Sequence, residues 1–311
     1  MKLAIIGAGN MAHEHARAFR DIETVSLVGI FSRTRSRAET LATKHKIQYV
    51  CNSVEELWEL TNADLVVISV GELFTNEICR IAFAFPWYCL IEKPAGYNLY
   101  DAESILKHAE KTNAKAYVAL NRRHYSSTRI VMQELSQLTE PRIVHVLDQE
   151  DPQAALDNGE HPSVTANWMY ANSIHVIDYL RLFCRGKVIS VNHIIPWNAE
   201  NPFLVLTKLD YSSGDIGIYQ GIWNAPGPWA VAITTPTKRF EMRPLEHATI
   251  QTYGSRKNEP LPLGDWDTQF KPGLRQQSQE SFRAVKGEVH GLPTLQEGFE
   301  TMKLIHQIYQ V

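Results

Sequence analysis

Gly7-Ala8-Gly9-Asn10-Met11-Ala12 has the residue types and spacing to cradle a phosphate. Gly7 permits a tight turn from a strand into a helix. Gly9 removes a side chain where a pyrophosphate must approach the backbone, and Ala12 is small enough for the helix to pack on a sheet. The helix that Asn10 and Met11 open offers free N–H groups and the positive end of its dipole. A second chemical group is Lys93, in Glu92-Lys93-Pro94 at the end of an apolar run. A lysine at the carboxyl end of a parallel strand points into the crevice where open α/β sheets bind ligands. There it can hydrogen-bond a hydroxyl that loses its proton as a hydride leaves the same carbon.

The cofactor implied by such a loop is a nicotinamide dinucleotide. An acidic residue about 20 positions after the glycines would hydrogen-bond the ribose 2′-hydroxyl and favour NAD. Here Phe31-Ser32-Arg33-Thr34 stands in that place, followed by Arg35 and Arg37. A hydroxyl and a guanidinium suit a 2′-phosphate. Ser32, Arg33 and Arg37 are therefore expected to favour NADP, with NAD still possible. Ser69, Glu92, Lys93 and Asn121, at or just past the ends of later runs, complete the expected cofactor set.

The elements that must position these groups alternate in period. Residues 3–6, 26–31, 65–70, 89–92 and 116–120 are short, mostly apolar runs, suited to strands buried on both faces of a parallel sheet. Helical stretches at 11–20, 35–45, 54–60, 72–85 and 99–111 separate them. Ser53 and Glu56 are spaced as a capping box. After Asn121 the pattern changes: a helix at 127–138, a strand at 142–147, a loop at 149–163, a helix at 165–183, then strand-like runs to 253 and closing helices at 274–286 and 295–309. The expected architecture is α/β. A doubly wound parallel Rossmann domain occupies residues 1–121, and residues 122–311 form an α/β domain with an open, mostly antiparallel sheet.

The glycine motif, His15, E-K-P at the end of the fifth strand and Asn121-Arg122-Arg123 after the sixth together resemble the glucose–fructose oxidoreductase/inositol dehydrogenase/MocA family. So does the helix Ser173-Ile174-His175-Val176-Ile177-Asp178-Tyr179-Leu180, with its H-x-x-D pattern. The resemblance implies NAD(P)-dependent oxidation or reduction of a hydroxyl/carbonyl pair on a sugar, cyclitol or nucleotide-sugar-like compound. By position it makes Lys93 the substrate-binding and catalytic lysine and His175 the second proton-handling group, a task suited to an imidazole near neutrality. Arg122, Tyr125, Asn172 and Asp178 are the substrate-side candidates. Asp178, one helical turn past His175, orients the ring or serves local packing. The sequence departs from the family where many members carry an aspartate four residues before the histidine, since Ala171 stands there. The third polar member is then Asn172, Tyr125 or none. The family's P-N-x-x-H after the fourth strand is also replaced, with Gly71, Glu72 and Thr75 in its place. Two alternatives are a reductase of a non-sugar substrate, as the biliverdin reductases are, and a non-catalytic dinucleotide sensor. By the same resemblance a homodimer or homotetramer is expected through the sheet of the second domain.

Composition excludes other classes. A net charge of -3 and a pI near 6.5 do not suit a nucleic-acid binder. The four cysteines, at 51, 79, 89 and 184, form no C-x-x-C pair and no disulfide framework, which fits a reducing compartment. The most apolar long stretch, 81–91, is broken by Pro86 and too short for a bilayer, and no leader is expected before the first strand. A cytoplasmic protein without membrane contact is expected. His13-Glu14-His15 is not read as a metal site, because side chains two apart on a helix face different ways.

Overall fold

The computed structural model describes all of residues 1–311. The chain forms two compact units, Met1–Asn121 with Trp266–Phe299 and Arg122–Asp265 with Glu300–Val311.

The first unit carries six parallel strands: β1 (Lys2–Ile6), β2 (Ser26–Phe31), β3 (Tyr49–Cys51), β4 (Leu65–Ile68), β5 (Tyr88–Ile91) and β6 (Lys115–Val118). Their order is β3-β2-β1-β4-β5-β6. Between them run α1 (Asn10–Arg20), α2 (Arg35–His45), α3 (Val54–Thr61), α4 (Glu72–Ala82) and α5 (Leu99–Thr112). Leu3, Ile5, Val67 and Leu90 are buried between helical layers, which is why these strands read as unbroken apolar runs. The order reverses between β1 and β4, so a crevice opens beyond the carboxyl ends of those strands. The start of α3 is a capping box displaced by one residue: Ser53 Oγ accepts from the Glu56 amide at 3.1 Å, while the Glu56 carboxylate accepts from the Asn52 amide.

The second unit is built on eight strands: β7 (Ile143–Glu150), β8 (Val188–Ile195), β9 (Leu204–Tyr211), β10 (Ile216–Trp223), β11 (Ala230–Thr234), β12 (Lys238–Met242), β13 (Thr249–Thr252) and β14 (Glu259–Pro260). Their order is β14-β13-β12-β11-β7-β10-β9-β8, with β7 and β10 parallel and every other neighbour antiparallel. Its helices are α6 (Ser126–Ser136), α7 (Pro152–Asp157), α8 (Pro162–Thr165) and α9 (Ile174–Phe183). Strict alternation puts Val205, Leu209, Tyr219, Trp223, Val231 and Ile233 on the covered face.

Three elements differ from the sequence expectation. Strand β7 runs on to Glu150, and the expected loop holds α7, started by Asp151 Oδ1 accepting from the Ala154 amide at 2.9 Å with Pro152 in the first turn. The expected helix at 165–183 is broken: α8 ends at Thr165 and a turn of π-helix spans Met169–Ser173 before α9 begins. The segment Trp266–Phe299, read from the sequence with the second domain, packs in the first unit as α10 (Trp266–Gln269), α11 (Leu274–Val285) and the start of α12 (Leu295–Tyr309). Arg275 explains its attachment: Nε lies 2.6 Å from Asp21 Oδ2, and the guanidinium stacks 4.3 Å from the Trp266 ring centre. Arg17 of α1 likewise lies over Phe270. These partners are some 250 residues apart, as with Arg275 and Asp21, so no local pattern announces them.

Candidate active site

In the first unit the parallel ladder delivers one candidate after another to a single edge. The Gly7 amide donates to Phe31 O at 2.8 Å, the Ser69 amide to Ile6 O at 2.7 Å and the Glu92 amide to Ile68 O at 2.8 Å. Gly7, Ser32, Ser69 and Lys93 thus stand at the carboxyl ends of β1, β2, β4 and β5. Gly7 has φ +109°, and a Cβ there would lie 1.9 Å from Ser69 O, so this turn requires glycine. At Gly9 a Cβ would meet nothing within 4 Å, leaving the loop open to a ligand. No side chain caps α1, and its first turn holds no acid. Its free N–H groups therefore face outward without a built-in anion.

Two hollows flank the glycine loop. One, of about 190 Å³, is lined by Gly7, Ser32, Arg33, Arg37, Ser69 and Phe74 among others. The other, of about 650 Å³, runs between α1 and α2 past Gly9, Asn10, His13, Arg37, Thr40 and Lys44. Neither is lined by an aspartate or glutamate. Arg33 lies flat on Phe74, its guanidinium carbon 3.4 Å from the ring centre. Arg35 is already committed to Glu39 at 2.9 Å, which leaves Arg33 and Arg37 as the guanidinium groups at the cleft. Ser32 Oγ accepts from the Thr34 amide at 3.3 Å and keeps its own O–H to donate. Uncapped amides, two guanidinium groups, a hydroxyl and no carboxylate fit an anionic dinucleotide.

Glu92 does not face this cleft with a free carboxylate. His15, fully buried in α1, lies with Nε2 2.6 Å from Glu92 Oε1, and the Lys93 amide donates to Glu92 Oε2 at 3.3 Å. Glu92 thus ties the Lys93 turn to α1. Asn121 is buried and donates from Nδ2 to Pro272 O at 3.0 Å, so its amide holds the returning segment. That segment brings Lys271 Nζ to 3.2 Å from Met11 Sδ, beside the glycine loop.

In the second unit His175 is buried near the start of α9, with its ring centre 6.2 Å from that of Trp229. Arg122 lies over the same Trp229 ring at 4.5 Å, and Trp229 Nε1 donates to Gln149 O at 2.9 Å. Arg122, Trp229 and His175 therefore form one cluster. Tyr125 is buried at the start of α6. Asn172, in the π-helical turn, donates to Glu150 Oε2 at 2.8 Å. Asp178 is bound by protein groups: Arg123 grips it with Nε to Oδ2 at 2.6 Å and NH2 to Oδ1 at 2.8 Å, and Thr301 Oγ1 adds 2.8 Å. Burial pushes the Asp178 pKa up, but the Arg123 charge and hydrogen bonds outweigh it and hold the carboxyl below the usual range.

Phe74, Lys44 and the site role of Trp229 escape the sequence reading. Phe74 and Lys44 sit on helix faces with no motif. Trp229 follows Pro226-Gly227-Pro228 and reads as a core or interface aromatic.

Comparison with known proteins agrees with this arrangement. Residues 1–120 match the GFO/IDH/MocA oxidoreductase family, NAD-binding Rossmann fold. The match lies within the first unit and covers residues 1–120 of the 311. It is 23% identical over 199 residues to 4-carboxy-2-hydroxymuconate-6-semialdehyde dehydrogenase of Sphingobium sp., covering 62% of each chain. It is 29% identical over 131 residues to glucose-6-phosphate 3-dehydrogenase of Bacillus subtilis, covering 42% of this chain and 36% of that one. The chain thus spans less than two thirds of the length of these curated relatives. The fold as a whole is shared with UDP-N-acetylglucosamine 3-dehydrogenase from Acidithiobacillus ferrooxidans, at a TM-score of 0.80 and 16% identity over 100% of this chain and 97% of that one. No helix is long and apolar enough to cross a membrane.

Proposed function

We propose that the chain is an NADP-preferring oxidoreductase that moves a hydride between the nicotinamide and a hydroxyl/carbonyl carbon of a sugar, cyclitol or nucleotide-sugar-like substrate. The observation that carries this reading is the single edge of the first sheet, where an uncapped glycine loop, Ser32 with Arg33, and Lys93 follow one another. The substrates named for the similar proteins, a sugar phosphate and a nucleotide sugar, support the substrate class. Bound, the nicotinamide supplies the hydride donor or acceptor. Gly7, Gly9, Asn10 and Met11 hold the pyrophosphate on backbone N–H groups. Ser32, Arg33 and Arg37 pair with the 2′-phosphate. Lys93 holds the reacting oxygen, and His175 takes or gives the proton.

The test is nicotinamide absorbance change against a panel of sugars, cyclitols and nucleotide sugars, with Lys93→Ala beside the natural protein. Loss of a positioned acid–base group costs roughly 10²–10⁴-fold in turnover, with coenzyme binding retained. Unchanged turnover in Lys93→Ala contradicts the assignment. Coenzyme binding without turnover on any panel member points to a sensor instead.

Two further readings belong here. The uncovered face of the second sheet carries Leu204 and Leu206 on β9, Ile216, Ile218 and Ile222 on β10, and Ile143 and Leu147 on β7, which supports pairing with a second copy. Sedimentation should give a dimer or tetramer, and Ile218→Asp should shift it towards monomer; a natural protein that sediments as a monomer overturns this. All four cysteines are buried, unpaired thiols, which supports a reducing compartment such as the cytoplasm.

A further inference from the structure

Strand β7 places two acids, Asp148 and Glu150, side by side on the covered face of the second sheet. They are 1% and 0% exposed. The groups facing them come from three elements. From the π-helical turn, Asn172 Nδ2 donates to Glu150 Oε2 at 2.8 Å and Ser173 Oγ to Oε1 at 3.1 Å. From β10, Tyr219 O–H donates to Asp148 Oδ2 at 2.6 Å. From α12, Tyr309 O–H lies 2.6 Å from Tyr219 Oη and accepts from Trp223 Nε1 at 3.1 Å. Because Tyr219 gives its proton to Asp148 and Tyr309 receives one from Trp223, the donors run one way, from Trp223 through both phenols to the acid. Every neighbour is a neutral donor, and neither acid has a cation partner.

Two buried carboxylates without a cation do not both ionise. Asp148 Oδ1 is buried and met by no other donor, which leaves it to accept the proton shared with Glu150. We propose that Asp148 and Glu150 form a carboxylic acid–carboxylate pair sharing one proton, and that Glu150 is a positioning residue. It clamps Asn172 and Ser173, and so fixes the turn from which His175 continues into α9. Burial raises Asp148, and burial together with the charge of Asp148 holds Glu150 well above its ordinary value. Burial likewise keeps the Tyr219 and Tyr309 phenols protonated. A π-helical turn carries an extra residue per turn and is costly without such a clamp.

The inference rests on the proposed role of His175, but its test does not need a substrate. Infrared spectra of the full chain at neutral pH should show a protonated carboxyl band that both Glu150→Gln and Asp148→Asn remove. The ¹⁵N ring signals of His175, identified by their loss in His175→Asn, should keep their shifts and titration in Glu150→Gln and move in Glu150→Ala. Asn172→Ala removes one strut of the same clamp and should move the same signals if alanine at 150 does not fold. Once a substrate is known, Glu150→Ala should lower kcat on the order of 10²-fold with coenzyme affinity unchanged, and glutamine should rescue most of it. Absence of the band, or His175 signals indifferent to both alanine variants, overturns the proposal. Failure of the dehydrogenase reading is separate: it leaves the infrared and ¹⁵N results standing and shows only as absent turnover.

Discussion

The two units treat unpaired charge in opposite ways. The first leaves cations open: Arg33, Arg37 and Lys44 stand exposed around the glycine loop in hollows that no acid lines. The second buries acids, Asp148 and Glu150, with no cation beside them. Between these extremes Asp178 and Arg123 are buried together and fully hydrogen-bonded. Exposed cations cost little to leave waiting, because water solvates them until an anion arrives. A buried acid has no such refuge, so it either acquires a cation, as Asp178 does, or keeps its proton.

Removing a partner tests this most severely. Asp178→Ala removes the carboxylate that Arg123 grips with two hydrogen bonds and should cost about 3–5 kcal/mol in urea unfolding. A cost under about 1 kcal/mol would mean the pair is solvated and the comparison fails. The opening cations give the next effect. Arg33→Ala should weaken NADPH binding roughly 10–100-fold, as expected for loss of a charge-assisted hydrogen bond, and leave NADH nearly unchanged. Equal losses for both coenzymes would assign Arg33 to stacking rather than to the 2′-phosphate.

The smallest effect separates the two kinds of buried acid by pH. The folded pKa of Asp178 is lowered, so its contribution is present above the unfolded value, about 4, and is lost as pH falls through the folded value. The folded pKa of Asp148 is raised, so the sign reverses: its contribution is complete below the unfolded value and is lost as pH rises towards the folded one. Asp148→Asn should therefore gain stability relative to the natural protein as pH rises from 4 to 8, on the order of 1 kcal/mol. Melting curves at the two pH values check this, and a constant difference would show that Asp148 does not hold a proton.

The same contrast explains what the sequence makes legible. In the first unit each candidate follows a strand by a fixed few residues, so local pattern carries both the element and the position of Gly7, Ser32, Ser69 and Lys93. Only the three-residue β3 was too short to register. Glu92 and Asn121 show the limit of that logic: both lie at strand ends, yet one is turned to His15 and the other to Pro272. In the second unit the decisive partners lie far apart in the sequence. Glu150 meets Asn172 22 residues away, Asp148 meets Tyr219 71 residues away, and Asp178 meets Arg123 55 residues away. Periodicity shows which face each occupies but not what lies opposite. The π-helical turn is likewise invisible to a helical period, and that turn carries Asn172.

The proposed preference for NADP requires that the open cations of the first unit pair with a 2′-phosphate. Titration of the purified protein with NADPH and with NADH, each followed by nicotinamide fluorescence, tests it most directly. The account predicts markedly tighter binding of NADPH, and a reversed preference in Ser32→Asp. Tighter binding of NADH by the natural protein would contradict the assignment of Ser32 and Arg33, and binding of neither, once co-purified coenzyme is excluded, would contradict the reading of the glycine loop itself.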